Sequence, residues 1–229
     1  MSVSDDLIQA LRDAGDPGRG ADVRRYLKTS DLDFLGVGQP VNRRIAREYS
    51  RKVSGEDFVP YLRLLWNHRV FEVRRAAAES MLHFIPRGME EGDAVGLISE
   101  WLDDIDTWAL TDPLGWCMGK LIIKNPALSE VLAEWGRSDN RWRRRMSILP
   151  YVDICTKNQY RPEYGAMILR ALEPHLGDRE FFVAKAVGWS LRQLSKHEPE
   201  LVGEYIRTHR DKMSKLAIRE GGRRLPRID

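Results

Sequence analysis

The chain has 229 residues, of which 42% are apolar, so it is long enough to bury one large core or two small ones. Its 37 basic and 34 acidic residues give a formal charge of only +3, so the choice of partner depends on where the basic side chains cluster. The two cysteines, Cys117 and Cys155, lie far apart, which excludes a disulfide framework and zinc-finger spacing and is typical of a reducing cytosol.

The N-terminal segment is acidic and amphipathic and lacks the basic and apolar regions of a signal peptide. No apolar run approaches the roughly 18 residues that a membrane-spanning helix needs. These two features predict a soluble, cytoplasmic protein.

Helical patterns dominate the chain, and the alternating patterns typical of strands are nearly absent. Ser4 precedes the first helical stretch, Gly136 ends the segment 125–136, and possible caps open the segment 138–149. These residues that begin and end helices predict about twelve helices joined by short connections.

Basic helices recur along the chain at spacings of very roughly 30 to 40 residues, and each follows a more apolar helix. They are the segments 72–82, 140–149, 181–194 and 216–225. This loose self-similarity is typical of stacked helix pairs, as in HEAT-type solenoids, whose concave face can hold an extended partner. No segment is long enough to serve as a linker, so we predict an all-α, HEAT-like solenoid that forms a single domain over residues 1–229.

The segment "DTWALTDPLGWCMGKL" (106–121) places Trp108 and Asp112 four residues apart, on one face of a continuous helix. Asp112 is followed by Pro113, however, and this pair is also typical of a helix N-cap with proline at the first helical position. The residues alone leave both interpretations of Asp112 open.

The segment "NRWRRRMSIL" (140–149) surrounds one tryptophan with arginines. The buried stripe of this helix is predicted to contain Trp142, Met146 and Leu149. Arg143 and Arg144 are expected to point to solvent or to a passing phosphate. Arg145 falls at the edge of the stripe, where a guanidinium should be held by a carboxylate or bind an anionic ligand.

The segment "FFVAKAVGWSLRQL" (181–194) has two distinct faces. The core face is predicted to contain Val183, Val187, Leu191 and Leu194, and the opposite face to contain Lys185, Trp189, Arg192 and Lys196. A tryptophan among cations is typical of nucleic-acid binding, in which cations hold phosphates and the ring contacts a base or sugar. Alternatively, Trp189 packs against the next repeat beneath the lysine and arginine stems.

The chain resembles the AlkD-type DNA alkylation-repair glycosylases, which are built from HEAT-like helical repeats. The resemblance runs from near residue 24 to about residue 220 and is most specific in "EFFVAKAVGWSLRQLSKHEPELVGEYI" (180–206). Its other pieces are "YLKTSDLDFLGVGQPVNRR" (26–44), "TWALTD" (107–112) and "SDNRWRRRMSIL" (138–149).

The resemblance implies a role for several residues. Asp112 matches the family's catalytic aspartate, Trp108 and Trp189 its cleft tryptophans, Arg145 its active-site arginine, and Tyr26 a tyrosine near the site. The helical patterns add Lys185, Arg192, Arg143 and Arg144 as candidate DNA contacts.

The implied activity is excision of N3- and N7-alkylated purines from double-stranded DNA, as a monofunctional glycosylase of base excision repair that works without base flipping. No metal or cofactor is expected, because the five histidines form no ligand motif and the lone "GVG" near residue 36 is too weak to indicate a phosphate loop. We expect the protein to act as a monomer and to associate with the nucleoid through DNA.

The chain departs from the family pattern beside the catalytic aspartate. Thr107 and Ala109 stand where an aromatic residue and an acid are usual, and Gln39 replaces a usual threonine. Pro113 predicts a kink that would re-aim the carboxylate. Two other functions are therefore kept: a non-catalytic helical-repeat protein that binds damaged or branched DNA, and a protein–protein scaffold.

Overall fold

The computed structural model describes residues 2–156 and 158–226, and all of its regular elements in these ranges are helical. The α-helices of the described residues are α1 Val3–Asp13, α2 Pro17–Leu27, α3 Gln39–Ser50, α4 Phe58–Trp66, α5 Phe71–Phe84, α6 Glu91–Trp101, α7 Trp108–Lys124, α8 Ser129–Gly136, α9 Arg141–Met146, α10 Leu149–Ile154, α11 Tyr164–Leu172, α12 Phe181–Leu194, α13 Pro199–His209 and α14 Lys215–Gly221. The all-α prediction is confirmed, with two more helices than the approximate number expected. None of the helices in the described ranges combines the length and apolarity that crossing a membrane requires.

Side-chain caps fix where several of these helices begin. Ser2, rather than the predicted Ser4, caps α1, because its hydroxyl accepts from the Asp5 N–H while the Asp5 carboxylate accepts from the Ser2 N–H. The Asn140 side chain accepts from the N–H of Trp142 and so starts α9. Helix α8 ends at Gly136, as predicted.

The chain divides into two compact units, Met1–Cys117 and Met118–Asp229, and the boundary falls within α7. In the first unit, Trp66 and Trp101 stack with ring centroids 4.2 Å apart, and Phe58 and Phe84 stack at 4.0 Å. All four rings are buried, and burial of each such side chain contributes about 1.5–3 kcal/mol. The expectation of a single domain over residues 1–229 stays a prediction.

The core of the second unit contains the apolar stripes predicted for α9 and α12. The predicted stripe residues that are buried are Trp142, Met146, Leu149, Val183, Val187, Leu191 and Leu194. Trp142 packs on Phe182 with ring centroids 5.0 Å apart, so α9 contacts the first turn of α12. This contact fixes the helix that carries Trp189.

Candidate active site

Asp112 lies in the interior of α7, so the interpretation of this residue as an N-cap is wrong. The helix begins at Trp108 and continues through Pro113 to Lys124. The hydroxyl of Thr111 donates to the carbonyl of Trp108 at 2.9 Å and lies 3.4 Å from Oδ1 of Asp112. The carboxylate of Asp112 is half-buried, one helical turn beyond Trp108 and on the same face.

Two of the predicted aromatic residues meet in the first unit. The rings of Tyr26 and Trp108 pack edge to face with centroids 6.0 Å apart and an interplanar angle of 84°. Trp108 is half-buried, whereas Tyr26 is 73% exposed. The structure therefore brings Tyr26, Trp108 and Asp112 to one region, with aromatic surface next to a carboxylate.

An arginine on α5 that the sequence did not single out lies beside this region. Nη1 of Arg75 donates to the carbonyl of Ala109 at 3.2 Å, and Nη2 lies 3.5 Å from the carboxylate of Glu79. Glu79 is buried and also binds Arg43 of α3 at 3.1 Å. Burial lowers the pKa of Arg75, while the negative charges of Glu79 and Asp112 act in the opposite direction.

A second feature of the first unit is an open groove of about 700 Å³ along α3, which we name the α3 arginine groove. Its cationic lining consists of Arg43, Arg44, Arg47 and Arg51, with His83 of α5 at its side. Within the described residues, Arg44, Arg47 and Arg51 form no ion pair. Four arginines against one acidic residue, Glu48, make the lining electropositive. Burial and the positive charge of Arg47 lower the pKa of His83.

In the second unit, Arg145 is only 3% exposed. Its Nη1 donates to the carbonyl of Phe182 at 2.7 Å, a charge-assisted bond to the first turn of α12. The sequence predicted a position at the edge of the apolar stripe, and the structure places this side chain inside the unit with its guanidinium held by backbone.

The neighbouring Arg144 is less exposed than the sequence predicted. Its guanidinium binds Asp178 at 2.8 Å and donates to the carbonyls of Ser138 and Asp139, and the side chain is 22% exposed. The expectation that Arg144 points to solvent is therefore wrong, since the loop before α9 and Asp178 together bind its guanidinium. Arg143 is half-buried.

The face of α12 opposite the core carries Trp189, Lys185 and Arg192, all half-buried, as the helical pattern predicts. Lys185 and Arg192 both bind the carboxylate of Glu220 on α14, at 3.3 and 2.9 Å. Glu220 is 1% exposed; burial raises its pKa, but the bonds and charges of Lys185, Arg223 and Arg192 outweigh burial and lower it. The two cations therefore have a structural partner, and their predicted contact with DNA stays a prediction.

The described residues contain no group of three histidine, cysteine or acidic side chains arranged to hold a metal ion. Burial raises the pKa of Cys155 to about 12, which keeps this thiol protonated and a poor metal ligand. The "GVG" segment has a structural role, because the N–H groups of Leu35 and Gly36 donate to the buried carboxylate of Glu72.

Two groups near the predicted residues had only weak sequence signals. The spacing of Arg75 and Glu79 at i and i+4 indicates a pair on one helix, and Pro113 indicates a carbonyl without its helical donor four residues earlier. Neither signal identifies Arg75 as the side chain that binds that carbonyl. Glu220 lies about one repeat after the cations that it binds, and no sequence pattern identifies it as their partner.

Solved structures share this fold. A predicted DNA alkylation repair enzyme from Enterococcus faecalis is 22% identical, with a TM-score of 0.79, over 93% of this chain and 97% of that one. AlkD2 from Streptococcus mutans is 17% identical, with a TM-score of 0.66, over 91% of this chain and all of that one. The protein smu.31 from Streptococcus mutans UA159 is 15% identical, with a TM-score of 0.68, over 98% of this chain and all of that one. These likenesses show an all-α, helical-repeat fold.

Comparison with curated proteins gives no match. The sequence model of the family described as DNA alkylation repair enzyme, however, matches residues 7–225, which include the segments of α7, α9 and α12 that carry the resemblance. The AlkD-type resemblance is thereby confirmed. With nearly its whole length matched, the chain belongs to the DNA alkylation repair enzyme family.

Proposed function

We propose that the chain is a monofunctional DNA glycosylase that removes N3- and N7-alkylated purines from duplex DNA. Its membership of the DNA alkylation repair enzyme family supports action on alkylated DNA. The reaction breaks the bond between the base nitrogen and C1′ of the deoxyribose, and water supplies the new oxygen on C1′. The products are the free alkylated base and an abasic site.

The chemistry explains why one carboxylate is the main requirement. Alkylation at N3 or N7 places a positive charge on the purine, so the base leaves with the bonding electrons without needing a strong general acid. Positive charge then develops on the sugar. A carboxylate close to C1′ stabilises that charge and accepts a proton from the attacking water.

The position of Asp112 is the observation that carries the proposal. Asp112 is half-buried and lies within α7, one turn after Trp108, so its carboxylate does not cap the start of the helix. A capping carboxylate would be committed to backbone N–H groups, whereas a carboxylate on the side of a helix can face a substrate. Asp112 is therefore assigned as the catalytic residue.

The aromatic residues are assigned to the sugar. Trp108, whose ring packs edge to face with that of Tyr26, is assigned a contact to the deoxyribose that strengthens as the sugar becomes cationic. The resemblance gives the same role to Trp189. It also gives Arg145 the phosphate of the lesion, a role that its 3% exposure and its bond to the Phe182 carbonyl do not favour. The resemblance also supports hydrolysis without extrusion of the base, which distinguishes this proposal from glycosylases that flip it.

We expect Asp112→Asn to lower the single-turnover rate of 7-methylguanine release from methylated duplex DNA by about 100-fold or more. Affinity for the same duplex should change little, because the substitution removes a charge that acts on the sugar and no phosphate contact. Asp106→Asn is the matched control, since Asp106 lies just before α7 and its carboxylate accepts from the N–H of Asp31. Equal release by the wild-type chain and Asp112→Asn would refute the assignment.

The second candidate is a non-catalytic protein that binds damaged or branched DNA. The α3 arginine groove favours DNA binding whether or not the chain excises bases, because unpaired cations along a helix attract phosphates. Absence of base release at every excess of protein, together with salt-dependent binding of duplex DNA, would select this candidate.

A further inference from the structure

Pro113 leaves one carbonyl of α7 without its helical partner. In a continuous helix, the carbonyl of Ala109 accepts from the N–H of the residue four positions later, and that residue is Pro113, which has no N–H. The free carbonyl lies in the same turn as Trp108 and Asp112. Ala109 is buried, so water is not a ready substitute for the missing donor.

Arg75 supplies the missing donor from the neighbouring helix. Its Nη1 donates to the Ala109 carbonyl at 3.2 Å, and its side chain is 12% exposed. The other terminal nitrogen of Arg75, Nη2, donates to the carboxylate of Glu79, which also binds Arg43. The guanidinium is therefore fixed between a buried carboxylate on its own helix and the turn of α7 that carries Asp112.

The neighbouring Arg74 is a useful comparison, because every nitrogen of its guanidinium has a partner within the protein. Its Nε donates to the carbonyl of His68, and its two Nη atoms bind the carboxylate and carbonyl of Asp104. Arg75, by contrast, keeps its Nε–H buried without a hydrogen-bond partner among the described residues. A buried donor without a partner costs folding free energy, which indicates a role for Arg75 other than stability alone.

We propose that Arg75 is a positioning residue for Asp112, acting through the Ala109 carbonyl that Pro113 leaves free. The inference rests on the proposed function, because it requires that Asp112 acts on the substrate. Arg75 binds the backbone three residues before Asp112 and places a positive charge near that carboxylate. Small displacements of a catalytic group reduce rates strongly, about 100-fold for 1 Å.

The first test replaces Arg75 by Met, which keeps an aliphatic stem but removes the charge and the donors, and also by Ala. We expect both variants to lower the single-turnover excision rate by about 10-fold or more, while the Kd for duplex DNA changes by less than about threefold. Arg74→Met is the matched control. It should lower the melting temperature at least as much as Arg75→Met without a comparable loss of excision rate.

The second test restores the missing N–H. In Pro113→Ala, the backbone itself can donate to the Ala109 carbonyl, so Arg75 should matter less for the position of Asp112. We expect Arg75→Met to lower excision by less than about threefold in the Pro113→Ala background. An equal loss in both backgrounds would overturn the proposed route through the carbonyl.

The outcomes separate this inference from the proposed function. If Asp112→Asn abolishes excision while Arg75→Met excises at the wild-type rate, the positioning role is wrong and the glycosylase proposal stands. The positioning role is also wrong if Arg74→Met and Arg75→Met lose excision in proportion to their loss of melting temperature. If Asp112→Asn excises at the wild-type rate, the proposed catalytic role of Asp112 is wrong, and the positioning role of Arg75 is wrong with it.

Discussion

The proposed function requires Asp112 to remain available to a substrate, although its neighbour Pro113 favours a different use of this residue. The pair Asp112–Pro113 suits a helix start, yet α7 begins four residues earlier, at Trp108. The Thr111 hydroxyl donates to the Trp108 carbonyl, and Arg75 donates to the Ala109 carbonyl. Side chains thus bind backbone groups in the turn before Pro113, and the carboxylate keeps its place on the side of the helix.

A buried histidine makes the stability of the second unit depend on pH. His175 is buried and lies with Nε2 3.0 Å from the hydroxyl of Ser147. Burial lowers the pKa of His175, and the positive charge of Arg144 lowers it further, although Asp178 opposes both. Since the ordinary value is 6.5, the unfolded chain takes up a proton at a higher pH than the folded chain.

We therefore expect the free energy of unfolding to fall as the pH falls below about 6.5, by at most about 1.4 kcal/mol per pH unit for this one proton. Urea unfolding from pH 8 to pH 5 measures the slope. His175→Gln keeps a hydrogen-bonding group for Ser147 but cannot take up the proton, so it should flatten the curve. An unchanged slope in the variant would assign the acid sensitivity to other groups, such as His83, whose pKa is also lowered.

At the scale of elements, the most specific segment of the resemblance is explained by how α12 packs on α14. A Cβ at Gly188 would lie 2.5 Å from Cβ of Glu220 and 3.0 Å from the carbonyl of Ala217, so only glycine allows this approach. The close approach brings Glu220 beneath Lys185 and Arg192 of α12. The glycine and the two cations of this segment thus serve one helix–helix contact.

We expect Glu220→Gln to destabilise the chain by about 1.5–3 kcal/mol, because it removes the buried carboxylate that the half-buried Lys185 and Arg192 share. Urea unfolding at neutral pH measures the loss. Glu204→Gln is the matched control, since Glu204 is exposed and, among the described residues, pairs only with Arg207 and Thr208 of its own helix. A Glu220→Gln variant as stable as Glu204→Gln would show that the buried carboxylate contributes little.

The helices and their buried faces could be predicted because both depend on neighbours within one helical turn. The stripe of α12 and the cap at Asn140 are of this kind. Contacts between helices could not be predicted in the same way. The bond from Arg75 to Ala109 joins residues 34 positions apart, and no local pattern states which carbonyl a guanidinium will reach. Arg144 was misjudged for the same reason, since Asp178 lies on a different segment.

At the scale of the whole molecule, a net charge of +3 conceals an uneven distribution. The α3 arginine groove collects three arginines of α3 and Arg51, which directly follows its last residue, and three of these four form no ion pair in the described part of the chain. Consecutive phosphates of a duplex strand advance by about 3.4 Å along the axis, and an α-helix by about 1.5 Å per residue. The span from Arg44 to Arg51 is therefore long enough to contact several phosphates.

We expect replacement of Arg44, Arg47 and Arg51 by alanine to weaken binding of duplex DNA and to reduce its dependence on salt. The slope of log K against log salt concentration should become shallower by about 0.9 for each phosphate that the variant no longer neutralises. Replacement of Arg12, Lys212 and Lys215 by alanine is the control, because these exposed cations form no ion pair among the described residues and lie outside the groove. An equal change of slope in both variants would mean that only the total charge matters.

Family membership over residues 7–225 and the position of Asp112 lead to one activity that can be measured directly. The decisive measurement is chromatography of the bases released when duplex DNA carrying N7-methylated guanine is incubated with a molar excess of the wild-type chain. The account predicts free 7-methylguanine in amounts that match the abasic sites formed. Methylated DNA that stays intact while bound to the chain would contradict the account and leave a DNA-binding protein.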